Sequence, residues 1–182
     1  MRNKILFLCA LLVCAGCEPS GPAQTVENYF PCAVGSRWTY TWGDTTDIFT
    51  DSIAEAFTNA HNVQVYRWEM GMDDATYSAY IDGQVAFFYV PDDTLGEIVL
   101  KEPFEVGATW LYDPLDTSMV GRIEDTKAST STHAGEFVNC VKVSFQSEGA
   151  EEFAFYFAPG VGLVKRTAPD EEDMELYEYN LK

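Results

Sequence analysis

The stretch ATYSAYIDGQVAFFYV occupies residues 75–90 and carries the clearest fold signal of the chain. Two runs rich in strand-forming residues, 75–81 and 84–90, flank the dipeptide Asp82-Gly83. Asp-Gly supplies the positive φ angles of a two-residue type I′ turn, so this stretch predicts a tight β-hairpin. Val85 to Val90 are apolar on both faces, as are Phe153 to Ala158. Such strands are either covered on both sides or face an internal cavity.

The same period-two pattern continues on both sides of the hairpin. Trp38, Tyr40 and Trp42 alternate with polar residues, and the segment 65–70 repeats this arrangement around Trp68. Turn residues interrupt the pattern every eight to twelve residues or so, which is typical of an all-β domain. Further strands are predicted at 45–57, 96–101, 108–112, 118–126, 136–146, 152–158, 161–167 and 174–181. No segment after the N-terminal apolar run shows a helical stripe.

Short connections between these strands predict antiparallel pairing of sequence neighbours in a meander. A sheet this long and this rich in aromatic residues, with 12 Phe, 10 Tyr and 4 Trp in the chain, can curl on itself. We therefore expect an all-β fold whose curved sheet closes to a barrel or half-barrel. A β-sandwich is the alternative.

One motif, Pro-x-x-Val-Gly-x-x-Trp-x-Tyr, occurs twice, at residues 31–40 and 103–112, and residues 159–162 echo it faintly. The motif predicts a turn that enters a strand, because Pro restricts φ and Gly permits a tight bend. Trp and Tyr two positions apart then share one face of the strand. Core packing of these rings is the favoured interpretation, and a platform for carbohydrate or lipid is the alternative.

The N-terminus has the form of a secretory signal peptide, with a basic start, an apolar run from Ile5 to Val13 and small residues before Cys17. Its end, Val13-Cys14-Ala15-Gly16-Cys17, resembles the lipobox of bacterial lipoproteins, with Cys14 where that family usually has Leu. The resemblance implies cleavage after residue 16 and lipidation of Cys17 by more than one acyl chain, which would anchor the protein stably. Glu18 then favours the outer membrane by the sorting pattern of such lipoproteins. A plain secreted protein is the alternative.

These features divide the chain into a signal peptide at 1–16, a flexible tether at 17–28 and a single β domain at 29–182. The net charge is −18, and the basic residues are scattered singly, which excludes an electrostatic footprint for nucleic acid. After the signal no apolar run reaches the roughly 18 residues of a membrane-spanning helix.

Three segments of the chain resemble a group of uncharacterised bacterial secreted proteins and lipoproteins. They are the opening Tyr-Phe-Pro…Val-Gly…Trp-x-Tyr, the middle segment 134–143 and the closing Ala-Pro-Gly-Val-Gly-Leu-Val-Lys at 158–165. The resemblance covers most of the chain after the signal. It implies a small all-β lipoprotein without known catalytic residues.

Two cysteines, Cys32 and Cys140, remain once the signal has left and Cys17 is lipidated. An even pair in an oxidising compartment favours a disulfide, although two separate buried thiols in apolar stretches are the alternative. The family that the chain resembles usually has aliphatic residues at both positions, which adds some support for the disulfide. A zinc site is not expected, since His61 and His133 lie in polar turns far in sequence from either cysteine.

Catalytic signatures are weak. No Gly-x-Ser-x-Gly elbow or phosphate-binding glycine loop occurs. Paired carboxylates at 73–74, 92–93, 151–152 and 170–173 could supply a glycosidase pair, but turns with solvated charge are the simpler explanation. Asp44 with Asp47, or Asp113 with Asp116, could offer oxygens to calcium, although neither pair matches an EF-hand loop.

We therefore expect no catalytic residues, no cofactor and no metal. The expected protein is non-enzymatic, anchored in the bacterial cell envelope by lipid, and binds a protein partner or an apolar ligand. One alternative is a carrier or chaperone of lipidated cargo with an open half-barrel, and another is a hydrolase that uses acidic residues.

Overall fold

The computed structural model describes residues 24–43, 47–71, 76–93 and 95–182. The predicted signal peptide at 1–16, Cys17 and the predicted tether up to residue 23 lie outside these ranges. So do Asp44 of one candidate calcium pair and both members of the carboxylate pair at 73–74.

The described residues form one short helix and twelve strands. They are α1 Val26–Tyr29, β1 Arg37–Trp42, β2 Ile48–Thr58, β3 Gln64–Glu69, β4 Thr76–Ile81, β5 Gln84–Phe88, β6 Glu97–Lys101, β7 Thr109–Asp113, β8 Asp116–Thr132, β9 Gly135–Ser147, β10 Ala150–Ala158, β11 Gly162–Thr167 and β12 Met174–Asn180.

All twelve strands belong to one sheet with the order β6-β5-β4-β3-β2-β1-β12-β11-β10-β9-β8-β7, and every pair is antiparallel. Strands β1 and β12 pair with each other, so the meander runs outward from both chain ends. The sheet curls until its edge strands β6 and β7 face each other, which makes a barrel that is nearly closed and has one seam. The predicted all-β meander with a curved, closing sheet is confirmed, and the sandwich alternative is not what forms.

The predicted hairpin forms, with β4 and β5 as its strands and Phe88 as the last residue of β5. Asp82 and Gly83 have φ angles of 51° and 72°, as a type I′ turn requires, and β4 pairs with β5 from Tyr77 opposite Phe88 to Ile81 opposite Gln84.

Strand β8 is longer than the predicted segment 118–126, because its pairing with β9 continues to the turn at Thr132. Register shifts interrupt this hairpin three times, so it lacks the strict alternation that sequence analysis depends on.

The first described segment differs from expectation. Residues 26–28, which the sequence assigned to the tether, lie in helix α1, whose first turn is capped by the Thr25 side chain. Val26 and Tyr29 are both buried, and the Val26 backbone N–H donates to Glu102 Oε1 at 2.7 Å. The sequence showed no helical stripe in this segment. A helix of four residues is too short to produce a periodic pattern in the sequence.

No helix among the described residues is long and apolar enough to cross a membrane.

The two copies of the repeated motif have the same local geometry. Gly35 and Gly107 adopt φ angles of 88° and 90°, and each backbone N–H donates at 2.8 Å to the carbonyl of an isoleucine on the next strand, Ile53 or Ile123. The N–H groups of these isoleucines return bonds of 3.1 and 3.0 Å to the residue after each glycine. The motif is thus a strand-entry turn, as predicted, at the start of β1 and of β7.

Side chains close the seam between β6 and β7, which have no ladder pairing with each other in the described chain. Trp110 Nε1 donates to the Ile98 carbonyl at 2.8 Å, and Tyr112 OH donates to Glu97 Oε2 at 2.7 Å. The Trp110 ring lies directly on Gly121 of β8, where a Cβ would come within 2.5 Å of it. The second Trp-x-Tyr thus bridges the two free edges of the sheet.

Replacing Trp110 by Phe should destabilise the domain by about 1–3 kcal/mol, because the buried Ile98 carbonyl would lose its donor. Urea unfolding of the two proteins measures this change. Leu111→Met, on the half-exposed side of the same strand, is the control and should shift stability by no more than about 0.5 kcal/mol. Equal effects of the two substitutions would show that the Trp110 bond does not hold the seam.

Candidate ligand-binding cavity

The interior of the barrel contains a cavity of about 200 Å³. Seven aromatic side chains contribute to its wall: Phe30, Trp38, Tyr40, Trp68, Phe87, Tyr112 and Phe155. An apolar cavity of about 150 Å³ is known to hold benzene, whereas ordinary pockets for drug-sized ligands begin at about 300 Å³. The cavity therefore has the size for a compact ligand of about one ring.

Strand β1 supplies Trp38 and Tyr40 because its even-numbered residues face inward. Trp38 Nε1 donates to the Val161 carbonyl at 2.7 Å, and Tyr40 OH donates to the Leu163 carbonyl at 3.0 Å. Both bonds reach past β12 to the start of β11, which pairs with β12 only at residues 165 and 166. The first Trp-x-Tyr thus ties β1 to β11 and at the same time lines the cavity.

The indole of Trp68 faces that of Trp38, with ring centroids 5.2 Å apart and planes inclined by 31°. Trp68 Nε1 donates to Ser78 Oγ at 2.8 Å. The polar N–H of each indole is therefore bonded to the protein, and both rings offer apolar surface to the cavity.

The wall next to the seam comes from Val99 on β6 and Tyr112 on β7. Burial raises the pKa of Tyr112 above its usual value, and the hydrogen bond to Glu97 and the negative charge there raise it further. The phenol therefore stays neutral and keeps its proton as the donor across the seam.

The segment after α1 forms another part of the wall through Phe30 and Pro31. Tyr80 OH donates to the Phe30 carbonyl, while Tyr29 OH donates to the Asn139 carbonyl at 2.9 Å on β9. The N-terminal segment is thus bonded to strands on different sides of the barrel.

Asp51 is the one charged side chain among the described residues that line the cavity. It lies on the inward face of β2 and is only 8% exposed, and one of its oxygens accepts the Gly71 N–H at 3.0 Å. Burial raises the pKa of Tyr40 well above its usual value, and the negative charge of Asp51 raises it further. A carboxylate and a neutral phenol therefore lie side by side in the wall.

Sequence analysis did not select Asp51, although a signal was present. Phe49, Asp51 and Ile53 occupy alternate positions, so the period-two pattern already placed an acidic residue on the apolar face of a strand. Such a position is informative, because a carboxylate is buried only at a cost unless it is bonded.

The predicted disulfide is absent from the structure, where Cys32 and Cys140 are free thiols. Cys32 Sγ lies 3.7 Å from the Phe30 carbonyl and 3.9 Å from Ser78 Oγ of β4. Cys140 is buried on β9 opposite Ala128 of β8. The strands that these thiols contact are separated in the sheet order, so the structure has two separate thiols, of which Cys140 is buried and Cys32 is partly buried.

The predicted carboxylate pairs within the described ranges do not line the cavity. Asp92 accepts the Ala60 N–H, while Asp113 and Asp116 accept N–H groups two residues ahead, as turn residues do. Glu151 and Glu152 are exposed. In the acidic run 170–173, Glu171 and Asp173 pair with basic residues of β11.

Within the described ranges, no three His, Cys, Asp or Glu side chains come together in a group that could hold a metal ion.

The two copies of the repeated motif meet at this cavity. Trp38, Tyr40 and Tyr112 line it, while Trp110 seals the neighbouring seam. These rings pack in the core, as the favoured interpretation expects, and three of them also line the cavity. The alternative of a platform for carbohydrate or lipid stays a prediction.

The chain matches no protein-family model, no curated protein and no solved structure. The resemblance to uncharacterised bacterial lipoproteins stays a prediction.

We expect iodoacetamide to alkylate both Cys32 and Cys140 in urea without reductant, and to alkylate them slowly in the native protein. Burial raises the pKa of each thiol to about 11, so about one thiol in a thousand is ionised at pH 8. Peptide mass spectrometry of the two residues measures the labelling. A disulfide would leave both unlabelled in urea until reductant is added.

Proposed function

We propose that this protein is a non-enzymatic protein of the bacterial cell envelope, anchored by lipid on Cys17, that binds a small apolar ligand inside its barrel. The observation that carries the proposal is the aromatic cavity of about 200 Å³. A concave, largely apolar site with a few placed polar groups is the usual form of a small-molecule site.

The construction of the wall supports binding of a ligand with apolar surface. The N–H groups of Trp38 and Trp68 and the hydroxyls of Tyr40 and Tyr112 all donate to protein acceptors. The wall thus presents ring faces more than free polar groups. Apolar area that leaves water on binding contributes about 25 cal/mol per Å².

The cavity favours this function over the two alternatives. A carrier of lipidated cargo needs an open half-barrel, whereas this cavity is below the usual range of ligand pockets. A glycosidase needs two facing carboxylates, and Asp51 is the one carboxylate among the described lining residues. A compact, non-reacting ligand fits both facts.

The lipid anchor is supported by the lipobox-like sequence before Cys17. Helix α1 is fixed to the barrel through the bond from Val26 N–H to Glu102, and the Gly160 N–H donates to the Asn28 carbonyl at 2.6 Å. The segment from residue 17 to residue 25 can span at most about 30 Å when fully extended. A lipid on Cys17 would therefore hold the barrel close to the membrane surface.

Expressed as the full chain in a bacterium supplied with radioactive palmitate, the protein should incorporate label and fractionate with membranes. Cys17→Ser should abolish both, because it removes the thiol that accepts the lipid. Cys14→Ser is the matched control and should still be labelled, since Val13 is too bulky to precede a modified cysteine. Labelling of the Cys17→Ser protein would contradict the anchor.

Ligand binding can be tested with tert-butylbenzene, a compact neutral probe, by titration of tryptophan fluorescence and by thermal shift. The wild-type protein should bind it saturably, since Trp38 and Trp68 form the cavity wall. Val99→Phe should weaken binding at least about tenfold, because Val99 lines the cavity and a larger side chain fills it.

Val138→Phe is the matched control, because Val138 is 59% exposed on β9. It should bind the probe as the wild type does. Absence of saturable binding to the wild type, or equal binding to Val99→Phe, would overturn the proposed cavity function.

A further inference from the structure

The cavity combines a buried carboxylate with aromatic ring faces. Asp51 is more than nine-tenths buried and belongs to the wall, as do the rings of Trp38 and Trp68. The cost of burying a carboxylate falls when a cation approaches it. The faces of aromatic rings also carry negative potential and attract cations.

The polar groups of the wall favour the same sign of ligand charge. Gly71 N–H donates to one oxygen of Asp51 at 3.0 Å, and a carboxylate attracts positive charge. The hydroxyl of Tyr40 donates away from Asp51, to the Leu163 carbonyl. The ring N–H groups and hydroxyls of the wall are already bonded to protein acceptors, which leaves an anionic ligand few donors to bind.

Arg67 and Lys165 form ion pairs away from the cavity. Arg67 pairs with Glu55 and Glu69 at the outer surface, and Lys165 pairs with Asp173 and Glu175. No Lys, Arg or His occurs among the described residues that line the cavity. A ligand cation would therefore meet no repulsion from the wall.

We propose that the ligand is a small organic cation, such as an alkylated ammonium group with an apolar substituent, held between Asp51 and the rings of Trp38, Tyr40 and Trp68. This inference rests on the proposed cavity function and names the chemical class of its ligand. Quaternary and methylated ammonium groups are bound in this way by aromatic cages. A cavity of about 200 Å³ has room for one such group with a single ring.

The test compares two probes of the same shape, phenyltrimethylammonium and tert-butylbenzene, which differ in a nitrogen cation against a carbon. Titrations with the full-length protein at physiological salt follow tryptophan fluorescence and thermal shift. The wild type should bind the cation at least about tenfold more tightly than the neutral probe. Asp51→Asn should lose at least about tenfold in affinity for the cation and keep its affinity for the neutral probe.

Glu136→Gln is the matched control, because it removes the same charge from an exposed position on β9. It should bind both probes as the wild type does. Val99→Phe, which fills the cavity without changing charge, should weaken both probes together. The comparison of the two probes on the wild type holds even if Asp51→Asn does not fold.

The outcomes separate the two proposals. If the neutral probe binds as tightly as the cation or more tightly, the cavity function stands and the inference is overturned. If the neutral probe does not bind saturably, the proposed function itself fails, and the inference that rests on it fails as well. Unchanged affinity of a folded Asp51→Asn protein for the cation would place the cation outside the cavity and overturn the inference.

Discussion

The structure depends on closing a twelve-stranded sheet whose last two edges do not pair. An exposed edge strand leaves backbone groups without partners and invites pairing with other chains. Here the indole of Trp110 and the phenol of Tyr112 on β7 donate across the seam to the Ile98 carbonyl and to Glu97 on β6. Two side-chain bonds thus join sheet edges that no backbone ladder joins in the described chain.

Both copies of the repeated motif use the polar atoms of Trp and Tyr to connect strands. At β1 the Trp-x-Tyr pair reaches past β12 to the carbonyls of Val161 and Leu163, where β11 and β12 pair only briefly. At β7 the second pair bridges the seam. In each place the aromatic side chains use their polar atoms to join parts of the sheet that the backbone does not join. The rings of Trp38, Tyr40 and Tyr112 also line the cavity.

The bonding of these polar atoms to the protein explains why the cavity wall is largely apolar. Because the donors of the wall are bonded to the protein, the cavity is lined mainly by aromatic and other apolar side chains, with Asp51 as the one charged group among the described lining residues. A wall of this kind suits a ligand with apolar surface, and its negative character favours a positive charge on that ligand. The same interactions therefore account for the closure of the barrel and for the proposed choice of ligand.

The strands and turns followed from the sequence because they depend on residues close together in the chain. The alternation around Trp38 and the Asp82-Gly83 turn each involve a few neighbouring positions, and the structure has both. The ends of β8 and the four-residue helix α1 were missed, because an irregular hairpin and a single turn leave no period to detect.

Only the tertiary structure decided how the sheet closes, which thiols stay apart and where the carboxylate of Asp51 lies. The bond of Trp38 to Val161 spans 123 positions and that of Asp51 to Gly71 spans 20. Cys32 and Cys140 were expected to form a disulfide because they are the two cysteines that remain after Cys17. The strands that they contact, however, are not neighbours in the sheet. Local patterns determine which segments become strands, whereas contacts between distant segments form only once the whole sheet has curled.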